Sequence, residues 1–244
     1  MLIKRLMTEV TDLPFRAIGQ SLRRKEDRRL LTGKGRFSDD FSLPGQAFAV
    51  MVRSPHPHAR IIAIHKQKAQ AMPGVLGIYG GLDCLHDHLK PIPHDPVPST
   101  KYDMKLTGPG GSKIFIGRHM LLPADKARHV GEAVAMAVAE TKAQALDAAE
   151  AVEIDYEELP FVIDSEKALL PGAPALWDEC ADNVPVDTIF GDVEATDRAF
   201  AAADKVIALD FHVGRVTAVP LEPRAALADY DKATGKLTLY AGSG

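Results

Sequence analysis

Two pairs of histidines, His56 with His58 and His86 with His88, are each spaced two residues apart. In an extended strand such a pair projects from one face and could chelate a metal, with Cys84 the nearest thiolate in sequence. Pro55 and Pro57 bend the first pair into a turn, and no second cysteine is close. These histidines are therefore expected to hydrogen-bond loop backbone. Gly33-Lys34-Gly35 and Gly108-Pro109-Gly110-Gly111-Ser112 could in principle cradle a phosphate. Neither fits GxGxxG between a strand and a helix, and neither is a P-loop, so both read as turns. Glu150, Glu153, Asp155, Glu157 and Glu158 form a dense acidic patch. Acid–base work needs a shifted pKa in a cleft, whereas the alternation here puts Glu153, Asp155 and Glu157 on a solvated strand face. Glu222 is different. It lies in Val219-Pro220-Leu221-Glu222-Pro223-Arg224, among apolar residues and beside an arginine, where hydrogen bonds or an ion pair should hold it. It reads as a structural acid, with a place behind a cofactor's direct contacts as the sharper alternative. No Ser-His-Asp or Cys-His arrangement can be argued, so the sequence assigns no catalytic residue, metal ligand or direct cofactor contact.

The elements around these residues are those of an α/β (α+β) protein. Phe48–Val52 and Arg60–His65 read as strands joined by the proline-rich turn, and Lys66–Met72 suits a short helix stopped by Pro73-Gly74. Val75–Tyr79 is a third strand. A long polar stretch, 88–118, follows; a loop of that length is usually functional, subunit-contacting or disordered. Order returns at Met120-Leu121-Leu122. Ala133–Ala139 is a run of small apolar residues that suits a buried strand. Thr141 is placed to cap the next helix, with Gln144 three residues on. Ala145, Ala148 and Ala149 give that helix a small face. Val152, Ile154 and Tyr156 then alternate with acids, the period of a half-buried strand. Residues 165–185 resemble a connector punctuated by proline turns. Asp192 should cap a helix to Ala203, with Val193, Ala199 and Phe200 as its apolar contacts. Strands are expected at Lys205–Val213, Ala225–Tyr230 and Lys236–Tyr240, the last two joined by a hairpin turn at 231–235.

The gross numbers narrow the class. The 244 residues allow one or two domains with a real core. A formal charge of −4 gives no overall pointer to nucleic acid. The run Arg23-Arg24-Lys25-Glu26-Asp27-Arg28-Arg29 mixes signs and reads as solvent-facing. Cys84 and Cys180 form no CxxC and no disulfide framework, which suits reduced thiols in a cytoplasmic protein. The first ten residues lack the apolar core of a secretory signal. No stretch of about 18 apolar residues suggests a membrane span.

Longer patterns carry a resemblance. Ile18-Gly19-Gln20-Ser21 with Arg23, Glu26-Asp27 and Leu30-Leu31-Thr32-Gly33 open it. TGKGRFSDDFSLPGQAFAVMVRSPHPHARI, residues 32–61, follows, then Met72-Pro73-Gly74-Val75, ARHVGEAVAMAVAE at 127–140 and VEIDYEELP at 152–160. These resemble the α/β-hammerhead domain of the molybdenum hydroxylases, the family of xanthine dehydrogenase, aldehyde oxidase and aerobic carbon monoxide dehydrogenase. GDVEATDRAFAAADKVI and RVTAVPLEPRAALADYD resemble the start of that family's molybdenum-cofactor-binding domain.

The resemblance implies an oxidoreductase whose molybdopterin, as the cytosine dinucleotide, carries the chemistry. It also implies electron transfer to iron–sulfur and FAD-binding subunits or domains, and a homo-oligomeric parent complex. In many members the hairpin ends in Ser-Thr-Gln; the same register here is Gly242-Ser243-Gly244. The cofactor loops and the family's catalytic glutamate are expected beyond Gly244. The expected organisation is a leader over 1–30, the hammerhead domain over 31–165, a connector over 166–185, and an incomplete piece of the cofactor-binding domain over 186–244. On this reading the chain is a scaffold segment that is inactive and cofactor-free by itself, its partner being the remainder of the large subunit. The rivals are a stand-alone, non-catalytic binding or assembly module and a small nucleotide-binding protein. In-frame coding sequence after codon 244 would argue against the first, and nucleotide titration tests the second.

Overall fold

The computed structural model describes residues 19, 21–93, 113–214, 216, 219, 222 and 224–242. Residues 94–112, including the Gly108–Ser112 turn, lie outside the described residues. Contacts gather the chain into two units: Gly45–His212, and Met1–Pro44 together with Val213–Gly244.

The larger unit carries two three-stranded antiparallel sheets. The first has the order β1 (Phe48–Arg53), β6 (Ala133–Ala139), β3 (Val75–Gly80). β6 is central, with Val50 opposite Ala137 on one side and Ile78 opposite it on the other. Its alanines explain that position. They leave room for the helix Lys142–Glu150, whose Ala145 and Ala148 are fully buried. Ala148 joins Ala69, Ile78, Ala137 and Val152 in one core, and small side chains let these elements close to native packing density. The helix starts where expected: Thr141 Oγ1 accepts the Gln144 amide at 3.3 Å. The second sheet has the order β5 (Lys126–Ala127), β2 (Ala59–His65), β7 (Glu153–Glu158). Ile154 and Tyr156 of β7 are half-buried and its acids are exposed, following the alternation in the sequence.

Short-range rules missed several elements here. Gly81–His86 is a helix, and β4 (Lys113–Ile114), inside the stretch that reads as loop, pairs with β8 (Val186–Asp187), just past the expected connector. Leu122 is buried without belonging to a strand. Residues 165–185 are tied down. Asn183 takes a left-handed conformation (φ 57°), and its side chain bonds to the Leu176 amide and to the carbonyls of Ala168 and Pro174.

Two expectations are corrected. Asp192 does cap a helix, accepting the Ala195 amide at 2.9 Å, but that helix ends at Ala201. Val193 and Phe200 remain exposed, because no apolar surface among the described residues covers them. Lys205–Val213 forms no strand. Alternating apolar residues favour a strand only when a second backbone supplies the ladder. Among the described residues none does, and Ile207, Leu209 and Phe211 stay exposed.

The smaller unit holds the hairpin β9 (Ala226–Asp231) and β10 (Lys236–Ala241), in register from Asp231–Lys236 to Ala226–Ala241. Asp231 accepts the Ala233 amide at 2.9 Å and the Thr234 hydroxyl at 2.6 Å, and Gly235 supplies the positive φ (70°) that closes the turn. The N-terminal stretch contributes a helix, Asp27–Leu31, and a 3-10 turn, Ser38–Asp40, within what the sequence presents as the leader and its sequel.

Candidate functional site

Glu222 is the sequence-nominated residue with the most specific surroundings. Its Oε1 accepts two hydrogen bonds from Ser38, from the amide and from the hydroxyl, each 3.1 Å long. A carboxylate at the N-terminus of a 3-10 turn satisfies one amide that the turn itself leaves free, here that of Ser38. Gly242, just past β10, completes the cluster. A Cβ at this position would stand 2.8 Å from Ser38 Oγ and 3.3 Å from Glu222 Oε1. Beside it, Phe41 stacks on Tyr240 and the Arg36 guanidinium lies 4.3 Å over the Phe41 ring. Glycine at 242 is therefore a matter of space. Arg224, expected as a possible ion-pair partner of Glu222, makes no ion pair with it among the described residues.

The other nominated residues are spread out. His58 is buried and its Nδ1 bonds to the Pro160 carbonyl at 2.9 Å. His56 lies edge-on to Tyr156 and 3.7 Å from Glu158, while Ser54 Oγ accepts the His56 amide. His86 faces Asp87 at the surface, and His88 takes a positive φ of 56° after the helix. Cys84 is buried, and burial pushes its thiol pKa up. Among the described residues no group of three or more His, Cys, Asp or Glu could hold a metal ion. Gly33-Lys34-Gly35 ends the helix Asp27–Leu31. The Lys34 amide returns to the Arg29 carbonyl and the Gly33 amide to that of Leu30, with Gly33 at φ 68°.

The acidic strand face finds side-chain partners across the sheet and beyond it. Asp155 meets His65 at 2.8 Å, Glu157 meets Arg60 at 3.2 Å and Glu153 meets Lys68 at 3.5 Å. All these groups are well exposed, so the pairs add little stability and create no cleft.

Sequence reasoning overlooked two clusters. Lys66 and Asp83 form an ion pair, and Asp83 also accepts the Gly80 amide at 2.6 Å, capping the helix Gly81–His86. Trp177, the only tryptophan, packs edge-on to Phe115 and beneath Arg128, whose guanidinium lies 4.1 Å from the ring. Lys126 pairs with Asp178 and Lys113 with Asp182 around it. The uniqueness of that tryptophan was the available signal. Among the described residues no helix is long and apolar enough to cross a membrane.

Two sheets of this order, followed by a separate hairpin, place the chain in a known class. The profile of the aldehyde oxidase and xanthine dehydrogenase α/β-hammerhead domain matches residues 32–106 and 97–160. That is more than half the chain, and the chain belongs to the aldehyde oxidase and xanthine dehydrogenase family. The profile of the molybdopterin cofactor-binding domain matches residues 176–243. Similar proteins include the nicotine 6-hydroxylase large subunit of Paenarthrobacter nicotinovorans, 36% identical over 91% of this chain and 25% of that protein. The carbon monoxide dehydrogenase large chain of Afipia carboxidovorans is 35% identical over 93% of this chain and 27% of its own length. Among solved structures, quinoline 2-oxidoreductase from Pseudomonas putida 86 superposes with a TM-score of 0.75 at 36% identity, covering 94% of this chain and 27% of that one. The chain spans about a quarter of the length of the curated relatives it matches.

Proposed function

We propose that this chain is a scaffold segment of the large subunit of a molybdenum hydroxylase, an oxidoreductase acting on an aldehyde, a heterocycle or carbon monoxide. The observation that carries this reading is the order of matches on one chain: hammerhead domain over 32–160, then molybdopterin cofactor-binding domain over 176–243. The proposed organisation is hammerhead over 31–165, connector over 166–185 and part of the cofactor-binding domain over 186–244, after a leader over 1–30. The cofactor of the parent is molybdopterin as the cytosine dinucleotide. When bound, it supplies the redox chemistry.

The residues present fit a place behind such a group. Glu222 commits Oε1 to Ser38, and Gly242 carries no side chain and packs on both. Their work is to fix the backbone that leaves the hairpin. The larger unit supplies packed surface, with Glu157 and Glu153 of its exposed strand face paired to Arg60 and Lys68. The proposed partners are the rest of the large subunit and the iron–sulfur and FAD-binding subunits, in a homo-oligomeric complex in the cytoplasm. No nucleic acid or membrane is assigned.

The test is affinity purification of the chromosomally tagged protein from its own cells. Co-elution of flavin and iron with the chain supports the reading. Elution alone, with neither, would favour a stand-alone module.

A further inference from the structure

We propose that Ser38 is a positioning residue for the chain where it leaves the hairpin, acting through Glu222 on Gly242. The inference deepens the reading above, and rests on it in taking 176–243 as cofactor-binding scaffold.

The residue that acts and the residue acted upon lie far apart in sequence. Ser38 lies in the stretch matched by the hammerhead profile, whereas Glu222 and Gly242 lie in the stretch matched by the cofactor-binding profile. Both stretches nevertheless meet in one contact unit. Ser38 gives its amide and its hydroxyl to the same carboxylate oxygen. Two donors on one ionised oxygen fix the direction of the carboxylate as well as its distance. The pair then occupies the space a side chain at 242 would need. Two residues earlier, the Phe41 ring stacks on Tyr240 with centroids 5.6 Å apart. The segment 36–41 therefore grips the end of β10 at two points, Tyr240 and Gly242. A two-stranded hairpin is marginally stable by itself, so the grip, more than the ladder, sets where the chain exits.

This arrangement makes a reciprocal prediction that general loosening does not. Ser38→Ala removes one donor and should loosen the exit. Gly242→Ala drives a methyl into Ser38 Oγ and should loosen it as well. Together the two changes should partly cancel, because the atom that clashes is gone.

The experiment is hydrogen exchange read by mass spectrometry on the full 244-residue chain. In Ser38→Ala, amides of residues 239–242 should exchange roughly five- to tenfold faster, the consequence of losing one hydrogen bond of ordinary net strength. Ser38→Thr keeps the hydroxyl and should exchange as the parent does. Amides of β6 should be unchanged throughout. The Ser38→Ala/Gly242→Ala chain should be better protected at 239–242 than Gly242→Ala alone. Unchanged exchange in Ser38→Ala, a double variant no better than Gly242→Ala, or loss of protection that extends to β6 would overturn the proposal. None of these readings depends on metal. Failure of the scaffold reading would appear separately, in the flavin and iron that accompany the tagged parent.

Discussion

Phe41 and Tyr240, from opposite ends of the sequence, stack with their planes 24° apart. An aromatic pair of this kind adds about 1 kcal/mol beyond the area it buries, and the Arg36 contact adds a further ~0.5 kcal/mol at an exposed site. Phe41→Ala should therefore destabilise the hairpin unit by about 1–2 kcal/mol, and Phe41→Leu by less. Hydrogen exchange at β9 and β10 measures both.

The core of the larger unit is built on alanine, and it should resist enlargement. Ala148 is fully buried against Ala69, Ile78, Ala137 and Val152. Ala148→Leu should cost about 1–3 kcal/mol by overpacking. Thr141→Ala should cost about 1 kcal/mol by removing the helix cap. Urea denaturation of each variant, followed by circular dichroism, gives the two values.

Acid should act on the Asp83 cap. Burial by itself would raise the Asp83 carboxyl, but the Lys66 ammonium and the Gly80 amide outweigh it and hold the pKa below the ordinary value. A carboxyl depressed in the folded state contributes stability that is fully present above its unfolded pKa of about 3.9 and is lost as pH falls through the folded value. The Asp83 side chain is 38% exposed, so water screens the ion pair. Asp83→Asn keeps an oxygen for the Gly80 amide and loses the screened ion pair, so the expected loss is about 0.5 kcal/mol. Denaturation midpoints from pH 6 down to about pH 2.5 should converge between parent and variant at the acid end.

Cys84 and Cys180 should be inert in the folded protein. Both are buried, and burial raises both thiols above their ordinary pKa. Since the thiolate is the nucleophile, iodoacetamide at pH 7.5 should label neither cysteine until denaturant is added. Mass spectrometry before and after unfolding checks this.

What was legible in the sequence was local. The small-apolar run of β6, the alternation of β7, the Thr141 cap and the 231–235 turn each follow from neighbours within a few residues, and each formed. What failed needed a distant partner. Ile207, Leu209 and Phe211 have a strand's pattern, but no second backbone among the described residues pairs with them. Trp177 sits in a stretch that reads as connector, yet it is fixed by Phe115 and Arg128, which no periodicity links to it. Glu222 could be recognised as a held carboxylate from its neighbours, whereas its actual partner, Ser38, could not. Of the hydrogen bonds or ion pair expected there, the described residues show hydrogen bonds. The family resemblance reached further than the local rules because long ordered patterns retain tertiary constraints that short windows lose.

The most direct test of the scaffold reading is molybdenum per chain, measured by mass spectrometry on the folded 244-residue protein made in a host that synthesises the cofactor. The account predicts well under one-tenth of an atom per chain, since it takes the chain as a scaffold segment that does not hold the cofactor by itself. A ratio near one would contradict it and place a complete cofactor site within these residues.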